Sequence, residues 1–110
     1  MVQNTIEKIE EKIRSNNSLS NSNKTELLDL LAKLKPEITQ LAEAQSEHAE
    51  SIAGFVERSA HEATRKQKNP TLLKIAGDGL AESVKGFESS HPQLVEAVTD
   101  IVNALANFGL

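Results

Sequence analysis

The chain has no cysteine, no tryptophan and no tyrosine, and its aromatic side chains are three phenylalanines in 110 residues. Without thiols there can be no disulfide, no thiolate zinc site and no cysteine nucleophile, although a disulfide-free chain is compatible with any compartment. The shortage of planar rings argues against a cofactor pocket and against a stacking platform for single-stranded nucleic acid. Positive charge is also in deficit. Twelve Lys and Arg face sixteen Asp and Glu, for a formal net charge of -4, which opposes binding to DNA, RNA or anionic lipid. No apolar run reaches the roughly 18 residues that suggest a membrane span, and no basic segment followed by an apolar one marks a leader at Met1. The expectations are therefore no cofactor, no nucleic-acid partner, no membrane partner and a cytoplasmic address.

What the chain does have is Leu, Ile, Val and Ala recurring at helical spacing, with no sustained two-residue alternation. This predicts one all-α domain over residues 1–110. Ile6, Ile9 and Ile13 share a face, and Asn4 with Glu7 has capping-box spacing, so a short first helix is expected to about Arg14. The polar stretch Ser15 to Asn23 then bends the chain, with Leu19 as a staple and Ser20 or Asn23 as the next cap.

Leu27, Leu31, Leu34, Ile38 and Leu41 follow at alternating steps of four and three residues, the spacing of a coiled-coil seam. Pro36 lies inside this stripe, yet Leu34 and Ile38 keep their phase across it. A kinked continuous helix explains that phase more simply than two helices joined at Lys35. The pattern then thins to Ala49, Ile52, Ala53, Phe55, Val56, Ala60 and Ala63, ending near Lys66 before Pro70. A helix from Ser20 to Lys66 would be about 70 Å long at about 1.5 Å per residue, more than a compact monomer of this size needs. That mismatch points to an extended homo-oligomer, dimer or tetramer, built on the five seam residues.

Leu73, Ala76, Leu80, Val84 and Phe87 predict a third helix, with Leu72 and Ile75 at the edges of its stripe. A fourth opens at Ser90 or His91 with Pro92 near its first position and carries Leu94, Val98, Ile101, Leu105 and Phe108, with Gly109 as a left-handed cap that folds Leu110 back. The expected architecture is a coiled-coil-like helical bundle: a short N-terminal helix, a long central helix kinked at Pro36, and two C-terminal helices.

The chemistry-bearing residues each have a plainer reading. His48, His61 and His91, with Glu57 four residues before His61, offer metal-ligating atoms, but a site needs three or four convergent ligands and one helix supplies most of them. Glu43, Glu47, Glu50, Glu57 and His61 form a polar stripe that reads as the wet side of an amphipathic helix. Arg58, Arg65, Lys66 and Lys68 suit a helix C-terminus and pairing with Glu57 and Glu62. Gly77-Asp78-Gly79 lacks the lysine of a phosphate loop and the spaced acids of a calcium loop, and reads as a close helix approach or a kink. Ser89-Ser90-His91-Pro92 holds hydroxyls beside an imidazole with only Glu88 to orient it, and capping accounts for all four residues.

One stretch carries a resemblance. Phe87-Glu88, His91-Pro92-x-Leu94, Ile101 and Leu105-Ala106-x-x-Gly109 resemble the C-terminal signature of a small bacterial family, domain of unknown function 4404, and Leu19-Ser20 with the Leu27 stripe resembles its N-terminal helical half. The resemblance implies a bacterial helical protein and brings no activity, substrate or catalytic residue with it. From the residues themselves, the first expectation is a non-enzymatic module that self-associates through Leu27, Leu31, Leu34, Ile38 and Leu41. The alternatives are a module for a heterologous protein partner and a helical bundle that binds a small ligand or metal.

Overall fold

The structure is a computed structural model and describes residues 1–109. Among the described residues five helices follow one another: α1 (Val2–Ser15), α2 (Asn21–Ala44), α3 (Ser46–Thr64), α4 (Pro70–Ser83) and α5 (Pro92–Gly109). No strand occurs among the described residues, and the all-α expectation holds.

α1 starts earlier than Asn4. Its N-cap is Met1, with no side-chain hydrogen bond, and the Asn4–Glu7 pair lies within the helix. Ile6, Ile9 and Ile13 are buried as their spacing requires, and between them Glu10 is buried with its carboxylate 2.9 Å from Lys35 Nζ of α2. The bend after α1 is tied by Asn16, whose side-chain oxygen accepts from the backbone N–H of Ser18 and Leu19 and whose amide donates to the Thr64 carbonyl at the end of α3. Of the two expected caps for α2, Ser20 is the one used, its hydroxyl accepting from the N–H of Asn23 at 3.1 Å.

α2 runs through Pro36 without interruption. The predicted 47-residue span nevertheless ends early, because the helix stops at Ala44. Gln45 adopts φ -141° and ψ 70° and serves both helices: its N–H donates to the Leu41 carbonyl and its carbonyl accepts from Ala49. Residues 43–48 are all exposed, so no buried side chain holds the helical phase there, and the chain turns so that α3 packs on α2. The long axis of the molecule is 37 Å, which matches the roughly 36 Å of a 24-residue helix and leaves no place for a 70 Å rod.

α3 packs against each of the other four helices. Its composition explains why. Ala49, Ala53, Ala60 and Ala63 are buried with Ile52 and Val56, and small side chains let several helices approach closely. Asn69 caps α4 through the N–H of Leu72, with Pro70 at the first position where its missing N–H does no harm. α4 closes at Ser83, earlier than the Phe87 its stripe predicts; Gly86, at φ 94°, turns the chain toward α5. The fold-back expected of Leu110 lies outside the described residues.

Candidate functional site

The five residues expected to form an intermolecular seam lie in the core of one chain. Leu27, Leu31, Leu34, Ile38 and Leu41 are 0–1% exposed, packed within the chain by α1, α3 and α5. The periodicity is real, and its partners are helices of the same molecule. With the long rod also gone, the mismatch that pointed to an extended oligomer disappears.

The polar candidates are dispersed. His48 and His91 both pack edge-on against Phe87, with ring centroids 4.8 and 5.8 Å from it, and His48 Nε2 is 3.1 Å from the Ser83 carbonyl oxygen. His61 instead lies beside Lys12, Glu57 and Arg58 on the α1/α3 surface. Among the described residues no three His, Asp or Glu side chains are grouped to share a metal ion. The acidic stripe is split at Gln45, leaving Glu43 on α2 and Glu47, Glu50, Glu57 and His61 exposed on α3.

Two members of the basic cluster have definite structural partners. Arg65 donates to the buried Glu62 carboxylate at 2.8 Å. Lys68 Nζ donates to the Phe108 carbonyl, so it serves the C-terminal dipole of α5 rather than that of its own preceding helix. Gly77-Asp78-Gly79 is helical, with Asp78 paired to Lys74 at 2.9 Å. Glu88 accepts from the Gly86 N–H, while the His91 N–H donates to the Phe87 carbonyl just ahead of α5.

The C-terminal signature divides along the same lines. Phe87, Leu94, Ile101 and Leu105 are core residues, His91 is half-buried against Phe87, and Glu88, Pro92 and Ala106 face outward. These residues organise the turn and α5. Residues 31–110, well over half of the chain, match the family model for domain of unknown function DUF4404. The chain belongs to that family. α1 and the first ten residues of α2 precede the matched span, and α1 packs against α2 and α3. No curated protein and no solved structure matches the chain.

Among the described residues of this family member, three large apolar side chains on α3 and α4 are exposed. Phe55, Leu72 and Ile75 are 39%, 42% and 61% exposed. At about 100° per residue, Leu72, Ile75 and Gly79 lie within an arc of about 60° on α4. Phe55 is on the same side: a Cβ built at Gly79 would stand 2.6 Å from Phe55 Cε1, so the ring covers the glycine. This close approach confirms the expected use of Gly79. Gly77 has no such need, since its Cβ would meet Val102 at an ordinary 3.8 Å. Sequence reading placed Phe55 in the buried stripe and Leu72 and Ile75 at a stripe edge; the helix pairing needed to see one joint face is not written in local periodicity.

Proposed function

We propose that the protein is a non-enzymatic interaction module whose α3/α4 face pairs with the same face of a second copy. The observation that carries this reading is the exposure of Phe55, Leu72 and Ile75 on one side of a bundle in which, among the described residues, Met1 is the one other exposed large apolar side chain. Exposed apolar residues gathered on one face favour association where scattered ones do not. Charges near them are matched locally, Lys74 to Asp78 within α4 at 2.9 Å and Glu82 of α4 to Lys85 just past its end at 3.2 Å. A two-fold pairing brings identical surfaces together, and flanks that are already neutralised do not oppose it. The non-enzymatic part rests on the structural duties of the reactive side chains: Asp78, Glu62 and Glu10 are in ion pairs, and His48 is engaged with Ser83 and Phe87.

The test is sedimentation velocity across a wide concentration range. Wild type is expected to shift from one chain to two as concentration rises, and Ile75→Asp to stay at one chain with an unchanged Tm. A wild-type mass that stays at one chain throughout would sink the reading, as would undiminished pairing of the variant.

A further inference from the structure

The break between α2 and α3 is made by one residue, in a stretch that otherwise favours helix. Leu41 to Ala49 contains neither glycine nor proline, and Ala42, Glu43, Ala44, Gln45 and Glu47 are strong helix formers. No side chain caps the start of α3. The bonds on either side of the break are already those of a helix, from the Gln45 N–H to the Leu41 carbonyl at 2.8 Å and from the Ala49 N–H to the Gln45 carbonyl at 3.0 Å. Three bonds between them are given up, from the N–H groups of Ser46, Glu47 and His48 to the carbonyls of Ala42, Glu43 and Ala44. Turning Gln45 alone from φ -141° and ψ 70° to helical angles restores all three. The phase is kept as well. Leu41 and Ile52, like Ile38 and Ala49, are eleven positions apart, about three turns, so on a straight helix the buried side chains of each pair stand within about 20°. The stripes of α2 and α3 then join into one.

We propose that the chain exchanges its C-terminal half with a second copy, Gln45 straightening so that α3, α4 and α5 of one chain pack on α1 and α2 of the other. In this dimer α2 and α3 form one helix from Asn21 to Thr64, about 66 Å long at about 1.5 Å per residue, and two such helices run antiparallel. The core is kept. The packing of α2 on α3 and α5, and of α1 on α3, is remade between chains, as is the bond from the Asn16 side-chain amide to the Thr64 carbonyl. The gain is three backbone bonds in each chain, and the opposing term is the entropy of joining two chains, so concentration decides between the forms. Exchange requires α3 to leave α1 and α2, so it takes place as chains fold together rather than between folded monomers. Phe55, Leu72 and Ile75 all lie in the exchanged half and stay exposed in both forms, which makes this dimer separate from the surface pairing.

The test uses the Ile75→Asp chain, which removes the surface pairing, with isotope-labelled and unlabelled copies mixed in denaturant and refolded at micromolar and at millimolar concentration. Millimolar refolding is expected to give a two-chain species that returns only slowly to one chain on dilution. Ile13 and Ala60 line one depression between α1 and α3, so isotope-filtered methyl NOEs should join Ile13 of one copy to Ala60 of the other. Ser46→Pro suits the first position of α3 but cannot supply the N–H of a continuous helix, and is expected to refold to one chain at both concentrations. Gln45→Gly allows the turn and disfavours the long helix, so it should lower the two-chain fraction by about tenfold or more, and it decides the matter if the proline variant does not fold. Refolding to one chain at both concentrations would overturn the exchange. So would a two-chain species whose Ile13–Ala60 NOEs all lie within a chain, NOEs between chains confined to Phe55 and Leu72, or folded hinge variants that pair undiminished.

Discussion

Two glycines show how differently the same residue type can be used. Gly54 sits within α3, exposed, with nothing within 4 Å of a Cβ built on it. Gly86 has φ 94°, a conformation that side chains with a Cβ resist. Gly54→Ala is therefore expected to stabilise the fold by about 0.5 to 1 kcal/mol, by removing a flexible residue from a helix. Gly86→Ala should destabilise it by about 1 to 2 kcal/mol. Urea denaturation of both variants checks the pair, and equal effects would show that the turn at Gly86 does not need its backbone angle. At this scale little was legible in advance. The sequence shows that Phe55 continues an apolar stripe, but the ring over Gly79 exists only once α4 lies against α3.

Among the elements, α2 shows local rules being overridden where packing is strong. Pro36 has no N–H to give the Ala32 carbonyl, yet α2 continues because Leu34 and Ile38 are both fully buried and hold the phase on either side. Ala32 is exposed, so water can take the donor's place. The break comes instead at Gln45, where neither proline nor glycine marks it and where the neighbouring side chains are all in solvent. Pro36 is itself exposed, so Pro36→Ala opens no cavity in the core. It is expected to stabilise the protein by about 1 to 3 kcal/mol, the helix-interior penalty of proline less the entropy that its ring removes from the unfolded chain. A lower urea midpoint for this variant would mean that the proline shapes a bend the packing requires. Some helix starts were easier to read: Ser20 before α2 and Pro92 at the first position of α5 act over a few residues, a range that sequence displays directly, whereas Asn69 read only as part of a stop for the preceding helix and not as the cap of α4.

For the whole molecule, the buried stripe of α2 decides how one substitution should behave. In an intermolecular seam, Leu34→Asp would leave helical chains of lower mass. Leu34 is 0% exposed inside this bundle, so the variant places a carboxylate in the core and removes apolar packing at once. The expected loss is about 4 kcal/mol or more, a large share of the stability of a domain this size. Far-UV circular dichroism should show loss of helix, or a steep fall in Tm. A well-folded variant of unchanged Tm would return the stripe to the surface and reopen the seam.

By itself the sequence determined the class of the fold, the phase of each apolar stripe, the starts of α2 and α5, and the family, because these depend on spacing and capping within a few residues. Tertiary structure decided which stripe meets which. Apolar burial has no direction, so the Leu27 to Leu41 stripe is equally suited to a second chain or to α1, α3 and α5. The choice was made by the turn at Gln45, which brings α3 back along α2 and leaves Phe55, Leu72 and Ile75 outside.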